Sequence, residues 1–300
     1  MTEYATILVD VEDGVGTITL NRPEKLNALS VELRAELKAA LRALNPGDAV
    51  RVIRIKAAGR AFCAGYDLTP RPRPGAPREE LDYLGKPAAA PGGRPAWELG
   101  ESRIARDREG LREMVDRWLW MWSYRKPIVA QVHGYCLAGG NELVGACDIV
   151  FAAENALFGH PAARALGIPP TLGLWPAKIG MLKTKELLFT GETISGREAE
   201  RIGMVNHAVA PERLEEETLA FCRKVAKLPL DGLTVHKHVT NRWFELAGLR
   251  TAAAEGAEFD AIYHETPAAF EFNRIAREQG LKAALAWRDE PFGDGRTAAG

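Results

Sequence analysis

Residues 126–152 read KPIVAQVHGYCLAGGNELVGACDIVFA. The apolar run in KPIVAQVHG predicts a strand, CLAGGNELVGACD a tight glycine turn that opens a short helix, and DIVFAA a second buried strand. A strand, a glycine turn and a helix start together leave backbone N–H groups free to meet a negative charge. The fold is therefore of the α/β kind around this stretch, and its chemistry is to be sought at the turn.

Working outward toward the N-terminus, ILVDVE and VGTITL predict a hairpin turning at Asp13-Gly14, with Val15, Thr17 and Thr19 alternating against Gly16, Ile18 and Leu20. The polar loop NRPEKLNALS ends at Ser30, a good helix N-cap. Leu33, Leu37, Leu41 and Leu44 then fall on one face of a helix that stops before Asn45-Pro46-Gly47. RVIRIKA is a short buried strand and GRAFCAGYDL the loop after it. From Pro70 to Gly100 seven prolines and five glycines predict a long irregular excursion of the sort that forms lids or insertions. A helix resumes near Glu101, with Ile104, Leu111, Met114, Val115, Trp118, Leu119 and Trp122 on its apolar stripe.

Beyond residue 152 the loop FGHPAARALGIPP, residues 158–170, has His160 and Arg164 as its only polar side chains. Helices are then predicted in LKTKELLFTG, SGREAERIG and PERLEEETLAFCRKVAKL, as one long helix through 231–255, and in TPAAFEFNRIAREQGLKAALAWRDE. The layout is an α/β core over 1–209 and a helical region over 210–300. The last residues, GDGRTAAG, read as a frayed tail.

Composition limits the partners. Of 300 residues 46% are apolar and 26% charged, with a net charge of -1, so no global field draws in nucleic acid or an anionic membrane. An anionic ligand must be caught locally. The start MTEYATILVDVEDG lacks a secretion signal and no eighteen apolar residues run together, which predicts a cytoplasmic protein. Cys63, Cys136, Cys147 and Cys222 are too scattered for a zinc knuckle or a disulfide framework and read as small apolar fillers. His236 and His238 flank a lysine without further ligands, so no metal is expected.

Four segments together, NRPEKLNALS (21–30), GRAFCAGYDL (59–68), residues 126–152 and TGETISGREAERIGMVNHAV (190–209), resemble the enoyl-CoA hydratase/isomerase, or crotonase, superfamily. The resemblance follows the family's order along nearly the whole chain and leaves only 70–100 individual. It implies a spiral of ββα units, C-terminal helices that build trimers or pairs of trimers, and substrates that bring coenzyme A with them, with no other cofactor.

The resemblance also implies roles. The N–H groups of Tyr66 and Gly139 would stabilise a thioester oxyanion, an interaction worth roughly 3 kcal/mol per donor in the transition state. Gly139 would open the helix, where the dipole favours negative charge. Glu142, three residues on, projects on about the same side and matches the first of the two glutamates with which family hydratases handle water. The second glutamate position holds Ala162, and the glycine-rich segment that follows in the family is replaced by GIPPTLGLWP. Loss of one acid-base group costs roughly 10²- to 10⁴-fold. His160, Arg164 and Tyr66 are the nearby replacements.

Coenzyme A would lie against Lys25, Leu26 and Ala28 and the loop Ala64, Gly65, Asp67 and Leu68, with Lys282 near a phosphate. Hydration of a bulky or atypical acyl-CoA, with Trp97 shaping the pocket, is the leading expectation. Isomerisation, hydrolysis, decarboxylation or weakly catalytic thioester binding are the alternatives. Arg34, Lys38 and Arg42 recur every four residues like the RNA-binding comb of one relative in the superfamily. Glu32 and Glu36 interrupt the row, so no nucleic acid is expected.

Overall fold

The computed structural model describes residues 3–69 and 103–293. The excursion 70–100, Trp97 with it, and the tail from residue 294 lie outside the described residues. The hairpin forms as predicted from β1 (Ile7–Glu12) and β2 (Val15–Leu20), with Ile7 opposite Leu20. Asp13 and Gly14 both take positive φ at its turn. β3 (Val52–Ala57), β4 (Ile128–Val132), β6 (Ile149–Ala153) and β9 (His207–Val209) continue the sheet in parallel, in the order β1-β2-β3-β4-β6-β9. β2 alternates in sequence yet is buried almost throughout. Its Thr17 hydroxyl accepts from buried Arg54 at 3.3 Å, so the polar face is satisfied inside the fold rather than by solvent.

Ser30 caps α1 (Val31–Ala43), its hydroxyl accepting from Leu33 N–H at 3.0 Å, and Leu33, Leu37 and Leu41 are buried. α7 (Leu214–Val225) covers β3, β4 and β6 and brings Glu215 within 2.9 Å of Arg54. A second, small sheet of β5 (Tyr135–Leu137), β7 (Leu157–Gly159) and β8 (Thr193–Ser195) stands apart. These three-residue strands escape prediction because they are too short to show a period. α3 (Gly139–Gly145) follows β5, α4 (Trp175–Lys178) and α5 (Gly180–Thr190) lie between β7 and β8, and α6 (Gly196–Arg201) follows β8.

The single helix predicted through 231–255 is two, α8 (Leu230–Leu246) and α9 (Leu249–Tyr263), parted at Gly248 with φ +90°. The last predicted helix likewise divides into α10 (Pro267–Gln279) and α11 (Leu281–Asp289) at Gly280, φ +92°. Glycine reaches these left-handed angles without steric cost, so both helices stop there. The first break lets α9 fold back along α2 (Arg103–Trp122), where Ala253, Ala257 and Ala261 meet Leu111, Val115 and Leu119. Ile104, expected on that stripe, is 37% exposed.

The four cysteines are free and buried, and burial pushes the thiols of Cys63, Cys147 and Cys222 up to about 12, in keeping with a filling role. No helix among the described residues is long and apolar enough to cross a membrane.

Candidate active site

Two of the motif loops fold onto each other. Asn27 is buried at φ +53° and spans the gap, its Nδ2 donating to the carbonyls of Ala58 and Ala61 at 2.8 Å while its Oδ1 accepts from Arg22 N–H. Ala64 N–H donates to the Leu26 carbonyl at 3.0 Å, and Leu29 N–H to the Gly65 carbonyl at 2.8 Å. Arg22 pairs with Asp67 at 2.9 Å. The loops that carry Lys25, Leu26 and Ala28 and Ala64, Gly65, Asp67 and Leu68 are thus brought together, with Gly65 buried and Lys25 exposed. Lys282 is exposed on α11, a helix whose Ala284 packs in the same apolar cluster as Leu68 and Ala165.

The same loop touches the turn before α3. A Cβ on Gly65 would stand 2.9 Å from Ala138 Cβ and 3.5 Å from Gly139 N. Ala138 has φ +48° and ψ -120°, a conformation that costs an alanine about 1–3 kcal/mol. Its N–H is held by the Gly159 carbonyl at 3.0 Å, and Asn141 Nδ2 ties α3 to the carbonyls of Cys136 and Gly159. The strained turn sets Gly139 and its amide against Gly65 and the adjoining residue Tyr66 with its own amide. Among the described residues neither amide has an acceptor.

Glu142 rises from α3 into a nearly closed space, 1% exposed. Its Oε1 accepts from the Thr171 hydroxyl at 2.6 Å and from Thr171 N–H at 2.9 Å, and its Oε2 from the Tyr66 hydroxyl at 2.5 Å. Burial pushes the carboxyl above its ordinary value, against the hydrogen bonds from Thr171 and Tyr66, which favour the ionised form. The Tyr66 oxygen accepts in turn from Trp118 Nε1 at 2.9 Å. Burial first, then the charge of Glu142, holds this phenol well above its usual value. The ring lies on Gly139, where any Cβ would come within 2.8 Å of Tyr66 Cε2. Trp118 is therefore both core and a polar member of the site.

The altered loop follows β7 as one 3-10 turn, Pro161–Arg164. Ala162 is half-buried, and its carbonyl gathers the N–H groups of Ala165, Leu166 and Gly167. His160 Nε2 lies 3.3 Å from the Gly167 carbonyl, Nδ1 has no partner among the described residues, and burial pulls the ring down to about 4, so it is neutral. Arg164 donates to the Thr190 carbonyl at 3.0 Å, pairs with Asp289 at 3.2 Å and lies 3.9 Å over the Phe292 ring. These contacts set His160 Nε2 against the loop backbone and make Arg164 a link between α5 and α11.

Sequence reasoning misses two groups at this wall. Thr171, the hydroxyl in GIPPTLGLWP, is one. The other is Asp260, whose Oδ1 accepts from Ile168 N–H at 2.8 Å. His264 lies 3.6 Å from Asp260 and 2.7 Å from Asp107 of α2. Burial pushes Asp260 up to about 7, against His264, with Asp107 and Glu142 adding to the rise. α9 is pressed so closely that a Cβ on Gly256 would overlap the Pro170 carbonyl. Segment 168–171 is thus pinned by Asp260 at one end and Glu142 at the other. The acid and histidine four residues apart on a helix were the available signal.

The basic row on α1 is turned onto the chain's own aromatics: Arg34 lies 5.5 Å over Tyr66, and Lys38 and Arg42 lie 5.5 and 5.9 Å over Trp120. Glu36 accepts from the N–H groups of Ala5 and Thr6.

Comparison with known proteins agrees with this architecture. A profile of the enoyl-CoA hydratase/isomerase family matches residues 95–279, and a second profile of the same description matches 15–76. A probable enoyl-CoA hydratase of Rhizobium meliloti is 33% identical over 96% of this chain and 98% of its own. A hydroxycinnamoyl-CoA hydratase-lyase of Pseudomonas fluorescens is 31% identical, covering 81% of this chain and 80% of that one. The crystal structure of an enoyl-CoA hydratase/isomerase from Xanthobacter autotrophicus Py2 superimposes with a TM-score of 0.81 at 33% identity, over 97% of this chain and 99% of that one. The chain belongs to the enoyl-CoA hydratase/isomerase family and has the crotonase fold. Its relatives are hydratases, which makes it an enzyme of the lyase class.

Proposed function

We propose that this enzyme hydrates enoyl-CoA thioesters, with the Tyr66 and Gly139 amides on the thioester oxygen and Glu142 as the group that takes the proton from water. The observation that supports this is a buried carboxylate on the helix whose first residue, Gly139, lies against Gly65 and Tyr66, with no acceptor for the Gly139 or Tyr66 amide among the described residues. Charge developing on the thioester oxygen would meet two preplaced donors that need no reorganisation. Burial raises the Glu142 carboxyl above its ordinary value, which strengthens the carboxylate as a base toward water. Coenzyme A would run along Lys25, Leu26, Ala28 and the loop Ala64–Leu68, with Lys282 approaching a phosphate.

A bulky acyl group is favoured by the replaced wall GIPPTLGLWP, and the name of the P. fluorescens relative refers to an aromatic acyl-CoA. Residues 1–209 would form the spiral core and 210–300 the assembling region. Val235, Val239, Trp243 and Leu246 of α8 and Phe259 and Ile262 of α9 are exposed apolar side chains, which supports burial in a trimer. Ala162 favours one second reading, isomerisation of the acyl double bond, because a single base can carry one proton between two carbons.

The test is a panel of trans-2-enoyl-CoA thioesters of increasing bulk, followed by loss of the conjugated enoyl absorbance and by product identification. Hydration of bulky members and slow hydration of the four-carbon member are expected. Failure to hydrate any member refutes the reading, and a shifted double bond in the product selects isomerisation.

A further inference from the structure

With Ala162 at the position of the second glutamate, half of the proton chemistry of hydration has no carboxylate to perform it. His160 is buried and neutral, with Nε2 against the Gly167 carbonyl, and Arg164 is paired with Asp289. Two hydroxyls touch Glu142, that of Thr171 at 2.6 Å and the Tyr66 phenol at 2.5 Å, and of the two the phenol is by far the stronger acid; its oxygen is also held by Trp118 Nε1 at 2.9 Å. Its ring covers Gly139, and its own backbone N–H is one of the two donors assigned to the thioester. The phenol oxygen is therefore tethered by a few bonds to the point where the thioester is held.

Resting on the hydratase reading above, we infer that the Tyr66 phenol is the second acid-base group of this site and protonates the carbon next to the thioester. The steps balance as follows. The water oxygen bonds to the β-carbon while its proton passes to the Glu142 carboxylate. The π pair of the carbon-carbon double bond moves toward the thioester, whose oxygen carries the charge between the Tyr66 and Gly139 amides. The α-carbon then takes the phenol proton, the enolate collapses to a thioester, and Tyr66 is left as phenolate. Glu142, now a carboxylic acid, returns a proton to the phenolate across their hydrogen bond. Both groups are restored, one water has been added, and no further reactant is needed.

The surroundings suit that order. While Glu142 is ionised its charge and the burial of the site keep the phenol protonated. Once Glu142 has taken the water proton, that repulsion is gone at the moment the phenol must ionise. Trp118 N–H and the guanidinium of Arg34 over the ring favour the phenolate. A residue needed only to cover Gly139 would do so as phenylalanine, without the cost of burying a hydroxyl.

The experiment compares wild type, Glu142→Gln, Tyr66→Phe and the double variant Tyr66→Phe/Ala162→Glu on the enoyl-CoA that wild type turns over fastest, with thermal unfolding of each protein. Tyr66→Phe is expected to lower kcat about 10²- to 10⁴-fold with little change in KM. The added carboxylate in the double variant is expected to restore at least about a tenth of that loss, which mere loss of packing would not allow. Incorporation of 3,5-difluorotyrosine at position 66 keeps both hydrogen bonds and makes the phenol more acidic. The alkaline limb of kcat is then expected at lower pH, a readout that does not depend on how Tyr66→Phe folds. A substrate that Glu142→Gln fails to hydrate while Tyr66→Phe keeps wild-type kcat, or an unmoved alkaline limb, overturns this inference alone. No turnover by wild type overturns the hydratase reading and this inference with it.

Discussion

Thr171→Val changes little in shape and removes the hydroxyl that donates to Glu142 Oε1 at 2.6 Å, while Thr171 N–H still donates to the same oxygen at 2.9 Å. A hydrogen bond to a charged group is worth about 1.5–3 kcal/mol. At 1.36 kcal/mol per pKa unit this corresponds to about 1–2 units, and the remaining N–H places the shift toward the lower end. The sign follows from what the bond favours. It holds the carboxyl ionised against the burial that already raises it, so its loss lets the pKa climb further. The assay is the pH dependence of kcat/KM on the best enoyl-CoA substrate, whose acid limb reports the base in the free enzyme. That limb should move up by about one unit in Thr171→Val and return in Thr171→Ser. An acid limb that stays in place while the variant folds normally refutes the claim that Thr171 tunes a working Glu142.

Gly139→Ala should lower kcat about 10²-fold or more, because the new methyl meets the Tyr66 ring at 2.8 Å and displaces both the ring and the amide beneath it; steady-state kinetics decide. Arg164→Met should cost about 1–3 kcal/mol of stability by urea unfolding, through loss of the partly shared Asp289 pair, and leave kcat near wild type; a collapse of kcat in a well-folded variant would return Arg164 to the chemistry. Asp260 has a raised folded pKa, so the native chain binds more protons than the unfolded one between about 4 and about 7, and stability is lost as pH rises through that window. Asp260→Asn, which can still accept from Ile168 N–H, should remove that slope, worth at most about 4 kcal/mol, in a comparison of unfolding midpoints across pH.

How much of this was legible in the sequence depended on whether the cause was local. The cap at Ser30, the leucine face of α1, the strands β2, β3, β4 and β6 and the turn at Gly139 follow from patterns within a few residues, and the structure has them, whereas the three-residue β9 did not show. The breaks at Gly248 and Gly280 did not show, since a glycine inside a helical pattern stops a helix only where the chain must turn. The small sheet of β5, β7 and β8 is held by register with distant segments and has no period of its own. In the site, Glu142 and Gly139 were visible as a spacing. The contact of the Tyr66 phenol with Glu142, 76 residues apart, and that of Ile168 with Asp260, 92 apart, are products of the fold. For His160 and Arg164 the sequence shows that a polar group is present without showing its contacts, the Gly167 carbonyl for the one and Asp289 and the Thr190 carbonyl for the other.

The central claim is that the Tyr66 and Gly139 amides grip a thioester oxygen. The most direct test is difference infrared spectroscopy of an enoyl-CoA labelled with ¹³C at the thioester carbonyl, bound to Glu142→Gln so that turnover is stalled. Two amide donors on the oxygen should lower the carbonyl stretch below its value in water, and Gly139→Ala in the same background should reverse much of that shift. A bound carbonyl that vibrates at or above its frequency in water would contradict the account.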